Sequence, residues 1–274
     1  MKKESDYILG TNDAELERLG LQHRVWRSVV LNCWQNAGIT VGSKVVDIGA
    51  GPGYATVDLA GIIGSQGRVT AVERSTRYVA ALRARCDQHH LNNVDIHEVD
   101  LMTNDLPVTG CDFSWCRWVA SFVSDRALLV RKIAAALRPG GRAIFHEYGH
   151  YRTWQLSPRL PVLEEFVELI MESWRETGGE PDVALELPSL LEGSGFSIRS
   201  VTPQIFCVRP GDFMWEWPAA FIQSGPARLQ ELGKIDQAFV DKLRAGVEEA
   251  AKNENSFFVT PLVLEIVAEK RGES

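Results

Sequence analysis

The chain has 274 residues, 45% hydrophobic and 24% charged, with a formal net charge of -7. That length suits either two small domains or one large α/β domain with insertions. The acidic balance argues against a nucleic-acid partner, because phosphate binding rests on concentrated Lys and Arg.

The opening MKKESDYILG lacks an apolar signal core, and no later stretch is apolar for the thickness of a bilayer. A cytoplasmic protein without a membrane partner is therefore expected. Cys33, Cys86, Cys111, Cys116 and Cys207 are odd in number and lack CxxC spacing, which predicts reduced, mostly buried thiols.

Asn12 stands three residues before Glu15, a capping-box arrangement, and Leu16, Leu19, Trp26, Val30 and Trp34 follow at helical spacing. This predicts a long amphipathic helix ended by Gly38. From Lys44 the pattern alternates: KVVDI, a helix over 54–63, RVTAVE, a helix from Ser75 to His90, VDIHEVD, CDFSWC, a helix from Asp125 to Leu137, and RAIFHE. Such alternation predicts a parallel sheet covered on both faces.

After residue 148 the rhythm breaks. Leu160, Leu163, Val167, Ile170 and Trp174 share one face of a helix that Gly178-Gly179 stops. A shorter helix over 183–193 leads to a strand from Phe196 to about Val208. Residues 211–254 read as largely helical, and Leu262 to Ala268 as a closing strand.

The turn Asp47-Ile48-Gly49-Ala50-Gly51-Pro52-Gly53 follows the first strand, where an open parallel sheet receives its ligand. Glycines there let a ligand approach the backbone. The same glycines would also serve a tight turn in which strand and helix merely pack, and both readings stand on the turn alone. Glu73, twenty residues beyond Gly53, ends the second strand, where a carboxylate can accept the hydroxyls of a ribose. Tyr54 stands where a dinucleotide-binding GxGxxG needs its third glycine, which disfavours a pyrophosphate. Asp47 suits ammonium and sulfonium charges better than phosphates.

VVDIGAGPG, AVERS, EVDL and LRPGG, in this order over roughly 44–147, resemble the class I S-adenosylmethionine-dependent methyltransferases. The resemblance implies that Asp47, Gly49 and Gly51 line the methionine part of S-adenosylmethionine, that Glu73 binds the ribose, and that Asp100 with Leu101 borders the adenine. Arg74 counts as a further cofactor contact, and Arg117 would sit beside the methionine moiety or the methyl acceptor. YILGTNDAELERLGLQHRVW is similar to the opening helix of small-molecule members, in which Tyr7, Gln22 and His23 would close over the cofactor. For Gln22 and His23 a plain polar helix face remains the alternative.

Methyl transfer from a sulfonium is an in-line displacement that needs alignment in a dry pocket, and a base only for some acceptors. Phe145-His146-Glu147-Tyr148-Gly149-His150-Tyr151 gathers proton-handling groups at the expected sheet mouth. Glu147 and His146 are the candidates for a base or an acceptor-positioning pair, against a reading in which both are structural. His146, Glu147 and His150 also match HExxH, with Glu168 as a conceivable third zinc ligand. Two histidines four apart share a helix face, however, and these lie in an apolar strand pattern, so no metal is expected.

Trp154, Trp174, Phe213, Trp215, Trp217, Phe221, Phe257 and Phe258 concentrate in the later segments, where a few would wall an apolar or aromatic acceptor and the rest form a cap core. Trp115 and Trp118 flank Arg117 at a strand mouth.

The expected fold is α/β: a doubly wound, mostly parallel, seven-stranded Rossmann-like sheet with a helical cap over the carboxyl ends of the strands. Its parts would be a cap helix (1–40), the cofactor-binding part of the sheet (41–148), a helical insertion (149–182), more sheet (183–208), a second helical insertion (209–256), and a closing strand with its tail (257–274). The function expected is methyl transfer to O, N or C of a small metabolite, with a non-transferring cofactor-binding protein or a zinc hydrolase as alternatives. The oligomeric state stays open, a homodimer included.

Overall fold

The computed structural model describes residues 13–272, so Tyr7 and Asn12 lie outside the described residues. Helix α1 (Asp13–Ala37) buries Trp26, Val30, Cys33 and Trp34 along one stripe. It ends as Gly38 (φ +92°) turns the chain, with Gly38 N donating to Gln35 O and Ile39 N to Trp34 O, the paired bonds of a left-handed helix stop.

Strand and helix then alternate through β1 (Lys44–Ile48), α2 (Tyr54–Ile63), β2 (Arg68–Glu73), α3 (Thr76–Gln88), β3 (Val94–Glu98), β4 (Cys111–Arg117), α4 (Arg126–Ala136) and β5 (Leu137–His150). Ser75 caps α3 by accepting from Tyr78 N, and Asp125 caps α4 by accepting from Leu128 N. The remainder runs β6 (Gln155–Ser157), α5 (Pro161–Glu176), α6 (Leu187–Gly193), β7 (Phe196–Gln204), β8 (Cys207–Val208), α7 (Glu216–Ser224), α8 (Pro226–Glu231), α9 (Gln237–Ala251), β9 (Phe257–Val259) and β10 (Leu262–Lys270).

The seven-stranded sheet has the order β3-β2-β1-β4-β5-β10-β7. Strands β1 to β5 pair in parallel, while β10 runs antiparallel to both β5 and β7. The order reverses between β1 and β4, which opens a crevice at their carboxyl ends.

One sheet face packs against α1, α2 and the later aromatics; the other packs against α4 and α6. In β5 the two-residue alternation sends Ile144 to the first face and Phe145 to the second. Across the first face α1 also lies on α7.

Three expectations are corrected. Strand β5 continues to His150, because Leu262 to Glu269 pair with it antiparallel along that whole length. The strand expected over Phe196 to Val208 breaks after Gln204, and Cys207–Val208 turn away to pair with β9. The cap is therefore not wholly helical: β6, β9 and β8 form a three-stranded sheet within it. The capping box expected of Asn12 and Glu15 lies partly outside the described residues; within them, the Glu15 carboxylate takes two bonds from Arg18, at 2.7 and 2.6 Å.

Candidate active site

The glycine turn is built from both of the roles weighed for it. Gly49, Gly51 and Gly53 have φ of +63°, +55° and +87°, the left-handed region that disfavours a side chain. A Cβ on Gly49 would lie 2.4 Å from Val119, and one on Gly53 would lie 2.1 Å from Leu82, so these two glycines let neighbouring elements close up. A Cβ on Gly51 would meet nothing within 4 Å. Gly51 thus faces open space at the crevice, the cradle a ligand would fill.

Arg85 braces the turn by donating from Nε to Pro52 O at 3.1 Å, and its guanidinium lies 3.8 Å over the Tyr54 ring. The Tyr54 hydroxyl donates to Leu16 O at 3.1 Å and so ties α2 to α1.

Two acids border the turn. Asp47 is buried, accepts from the Thr56 hydroxyl at 2.6 Å, and has its pKa pushed up to about 6 by burial. Glu73 accepts from Gly51 N at 3.0 Å through Oε2, and from the amides of Arg74 and Ser75 at 2.9 Å through Oε1. Burial raises its pKa against these bonds. A carboxylate has about four acceptor sites, so the three amides leave room for a further donor. Arg74 contributes its amide here while its side chain is exposed.

Asp100 lies past the end of β3 and accepts from Met102 N at 2.8 Å. The loop that follows is held by Lys132 of α4, a largely buried ammonium that donates to Leu101 O and Asn104 O at 2.8 and 2.7 Å. Sequence reasoning passed over Lys132; its only signal was a charge on an otherwise apolar helix face.

Arg117 ends β4 beside the turn. Burial depresses its pKa to about 10, against the pull of Asp47 and Asp58. Its Nη2 lies 3.2 Å from His23 Nδ1, and its Nη1 is shut from solvent with no hydrogen-bond partner among the described residues. Gln22 is buried on the same helix as His23 but points elsewhere, accepting from Arg18 Nη1 at 2.8 Å.

Trp118 follows Arg117 in the left-handed region, with φ +52°. Bulky side chains rarely adopt that conformation, and here it accompanies the turn out of β4 that carries the indole into a cleft. The cleft is lined by Trp118, Tyr148, Tyr151, Trp154, Trp174 and Trp217, among others, with Arg18 and Gln22 from α1 at its edge. Trp118, Tyr148 and Trp217 stack on one another at 5.7 to 6.4 Å between centroids. Of the other rings expected to wall an acceptor, Phe221 lines the cleft, Trp215 packs on Phe258 at 4.3 Å, and Phe213 is exposed. Trp115 lies behind the wall against Trp34.

His146 and Glu147 do not form the pair expected of them, because consecutive strand residues point to opposite faces. His146 is fully buried among Trp26, Trp115 and Trp118, with Nδ1 3.5 Å from Glu265. Glu147 faces the other side, where Oε1 accepts from the amides of Val119 and Ala120 and Oε2 accepts from the Ser121 hydroxyl.

The zinc arrangement fails because His146, Glu147 and His150 lie on a strand and not on a helix. His146 and His150 sit four apart on a strand, about 13 Å along it, His150 is exposed, and Glu168 pairs with Arg152 at 2.6 Å. Among the described residues, no group of three His, Cys, Asp or Glu side chains is arranged to hold a metal ion. No helix among them is long and apolar enough to cross a membrane.

Residues 45–141 match a family model described as a methyltransferase domain. A demethylmenaquinone methyltransferase of Staphylococcus haemolyticus is 24% identical over 148 residues, 54% of this chain and 57% of that protein. The O-methyltransferase cnsE of Penicillium expansum is 28% identical over 180 residues, 64% of this chain and 59% of that protein. This chain thus spans little more than half the length of either relative. The solved structure of the YcgJ protein of Bacillus subtilis is 18% identical, covers 90% of this chain and 99% of its own, and has a TM-score of 0.58, a likeness of fold.

The open space at Gly51, the acids Asp47 and Glu73, and the orphaned Nη1 of Arg117 fit a ligand carrying a ribose, an ammonium and a carboxylate, which are the groups of S-adenosylmethionine. The family model marks residues 45–141 as a methyltransferase domain, and the fold and the cradle agree with S-adenosylmethionine as its cofactor.

Proposed function

We propose that this protein transfers the methyl group of S-adenosylmethionine to a small, largely apolar ring compound bearing oxygen atoms, bound in the aromatic cleft. One observation carries the reading: the open cradle and the cleft adjoin through two consecutive residues, Arg117 toward Asp47 and Trp118 toward the stacked rings.

When bound, S-adenosylmethionine supplies a methyl group already activated on a sulfonium, and the protein's work is alignment and exclusion of water. Glu73 accepts from the ribose, Asp47 faces the ammonium, Arg117 receives the carboxylate, and Lys132 shapes the loop of Asp100 and Leu101 beside the adenine. Gly49 acts through packing, and Gln22 acts at the cleft edge through Arg18.

Trp118, Trp154 and Trp174 line the cleft and carry indole N–H groups that are buried without a partner among the described residues. A buried unmade donor costs about 1–3 kcal/mol, which an acceptor oxygen would return. The names of the two relatives, a demethylmenaquinone methyltransferase and an O-methyltransferase, point the same way.

The titratable side chains named in the cleft are Arg18, Tyr148 and Tyr151. We therefore assign no base to Glu147 or His146; the first holds the loop after Trp118 and the second backs the wall.

Calorimetric titration with S-adenosylmethionine should show saturable binding, weakened at least tenfold in Glu73→Ala. Folded protein that binds none would sink the cofactor assignment. Incubation with methyl-labelled cofactor and an extract of the source cells should then yield S-adenosylhomocysteine in proportion to a labelled product. Binding without that product would leave a cofactor-binding protein doing other chemistry.

A further inference from the structure

Arg117 is aimed by a line of hydrogen bonds that crosses three elements. Its Nη2 lies 3.2 Å from His23 Nδ1 on α1, and His23 Nε2 lies 3.0 Å from Asp58 Oδ2 on α2. A guanidinium only donates, so Nδ1 accepts, and the single proton of the neutral ring sits on Nε2, donated to Asp58. Asp58 is in turn fixed by Arg27, whose Nε and Nη2 reach its two oxygens at 2.7 and 3.0 Å. The other end of the guanidinium, Nη1, is buried beside the cradle with nothing to bond among the described residues.

We propose that His23, oriented by Asp58, is a positioning residue that points the free end of Arg117 at the carboxylate of the methionine moiety, and that protonation of His23 releases this aim. The proposal rests on the cofactor reading above. A protonated imidazole has no lone pair to offer Nη2, and it would set a second cation at that same short distance, so Arg117 or α1 must move away.

The groups facing His23 are Asp58 from α2, Arg27 from α1 itself and Arg117 from β4, with the Tyr54 ring stacked at 5.8 Å. Arg117 in turn feels Asp47 on β1 and neighbours His146 on β5. Burial depresses the His23 pKa, with Arg117 adding to this and Asp58 opposing it. The accepting, neutral form therefore holds at neutral pH and is lost below the ordinary histidine range.

The test compares S-adenosylhomocysteine, which carries the carboxylate, with methylthioadenosine, which lacks the amino-acid part, by calorimetry near pH 7.5 and pH 5.5. Wild-type affinity for the first ligand should fall a few fold at the acid pH, less than an undepressed histidine would give, while affinity for the second changes little. His23→Gln can donate to Asp58 and accept from Arg117, so it should bind near the wild-type level at pH 7.5 and lose much of the acid fall. Any fall it retains belongs to Asp47, whose pKa is about 6. His23→Phe should weaken S-adenosylhomocysteine about tenfold at both pH values and spare methylthioadenosine.

An equal acid fall in wild type and His23→Gln would overturn the proposal. Equal weakening of both ligands by His23→Phe would overturn it as well, leaving His23 a structural residue. Failure of folded wild-type protein to bind either ligand would instead overturn the cofactor reading.

Discussion

The hydroxyl of Ser121 donates to Glu147 Oε2 at 2.9 Å, while Oε1 of the same carboxylate gathers the amides of Val119 and Ala120 at 2.7 and 2.8 Å. Glu147 therefore closes the loop directly after Trp118. It does so from full burial, which pushes its pKa from 4.5 up to about 7 against the pull of those bonds.

A carboxyl whose folded pKa exceeds its unfolded value binds protons more readily when folded, so its stability contribution is largest below about pH 4.5 and is lost as pH rises through about 7. Glu147→Gln retains an acceptor for the amides and cannot ionise. It should be more stable than wild type by about 1–3 kcal/mol at pH 8 in denaturant unfolding, with turnover within a few fold. A hundredfold loss of turnover at unchanged stability would restore a proton-transfer role.

Gly51 and Gly53 should respond differently to alanine. Gly53→Ala drives a methyl into Leu82 and should cost about 2–4 kcal/mol, combining overpacking with left-handed strain. Gly51→Ala meets no atom, so the strain alone should cost about 1–2 kcal/mol, yet S-adenosylmethionine affinity should fall at least tenfold. Thermal unfolding and calorimetry together separate the two. Wild-type affinity in Gly51→Ala would refute the open position as the cofactor's.

Tyr54 links the glycine turn to α1, and Gly20 makes room for it: a Cβ there would lie 2.6 Å from the hydroxyl. Tyr54→Phe should cost about 1 kcal/mol, the usual net value of one such bond. Amide exchange over residues 16–20 should quicken more than over the end of α1. Uniform exchange along the helix would argue against a tether.

Lys132→Met removes the donor shared by Leu101 O and Asn104 O and leaves two carbonyls without it. A loss of about 2–3 kcal/mol is expected, since the donor is charged. Adenosine should weaken more than methionine as a competitor of S-adenosylmethionine binding. Equal weakening of both would place the effect in the sheet as a whole.

Much of the cofactor region was legible because it is local. The run from Asp47 to Gly53 sets strand end, turn and helix start within seven residues, and the strand–helix alternation around it dictates a parallel sheet. Even there, the sequence could not divide the labour among glycines of similar backbone. Val119 and Leu82, distant in the chain, decide that Gly49 and Gly53 pack while Gly51 stays open.

The sequence by itself determined the turn, the place of Glu73 at the end of the second strand, the alternation and the supply of rings for a cleft. Tertiary structure decided which groups face one another. His146 and Glu147 adjoin in sequence, yet the pleat of β5 parts them, and only the covering of each face assigns one to the aromatic wall and the other to the loop of Ser121. Arg117, His23 and Asp58 come from three separate elements, and no local pattern encodes their meeting. Hydrogen bonds act within about 3 Å, so their partners are fixed only once the sheet order and the lie of α1 have brought those elements together.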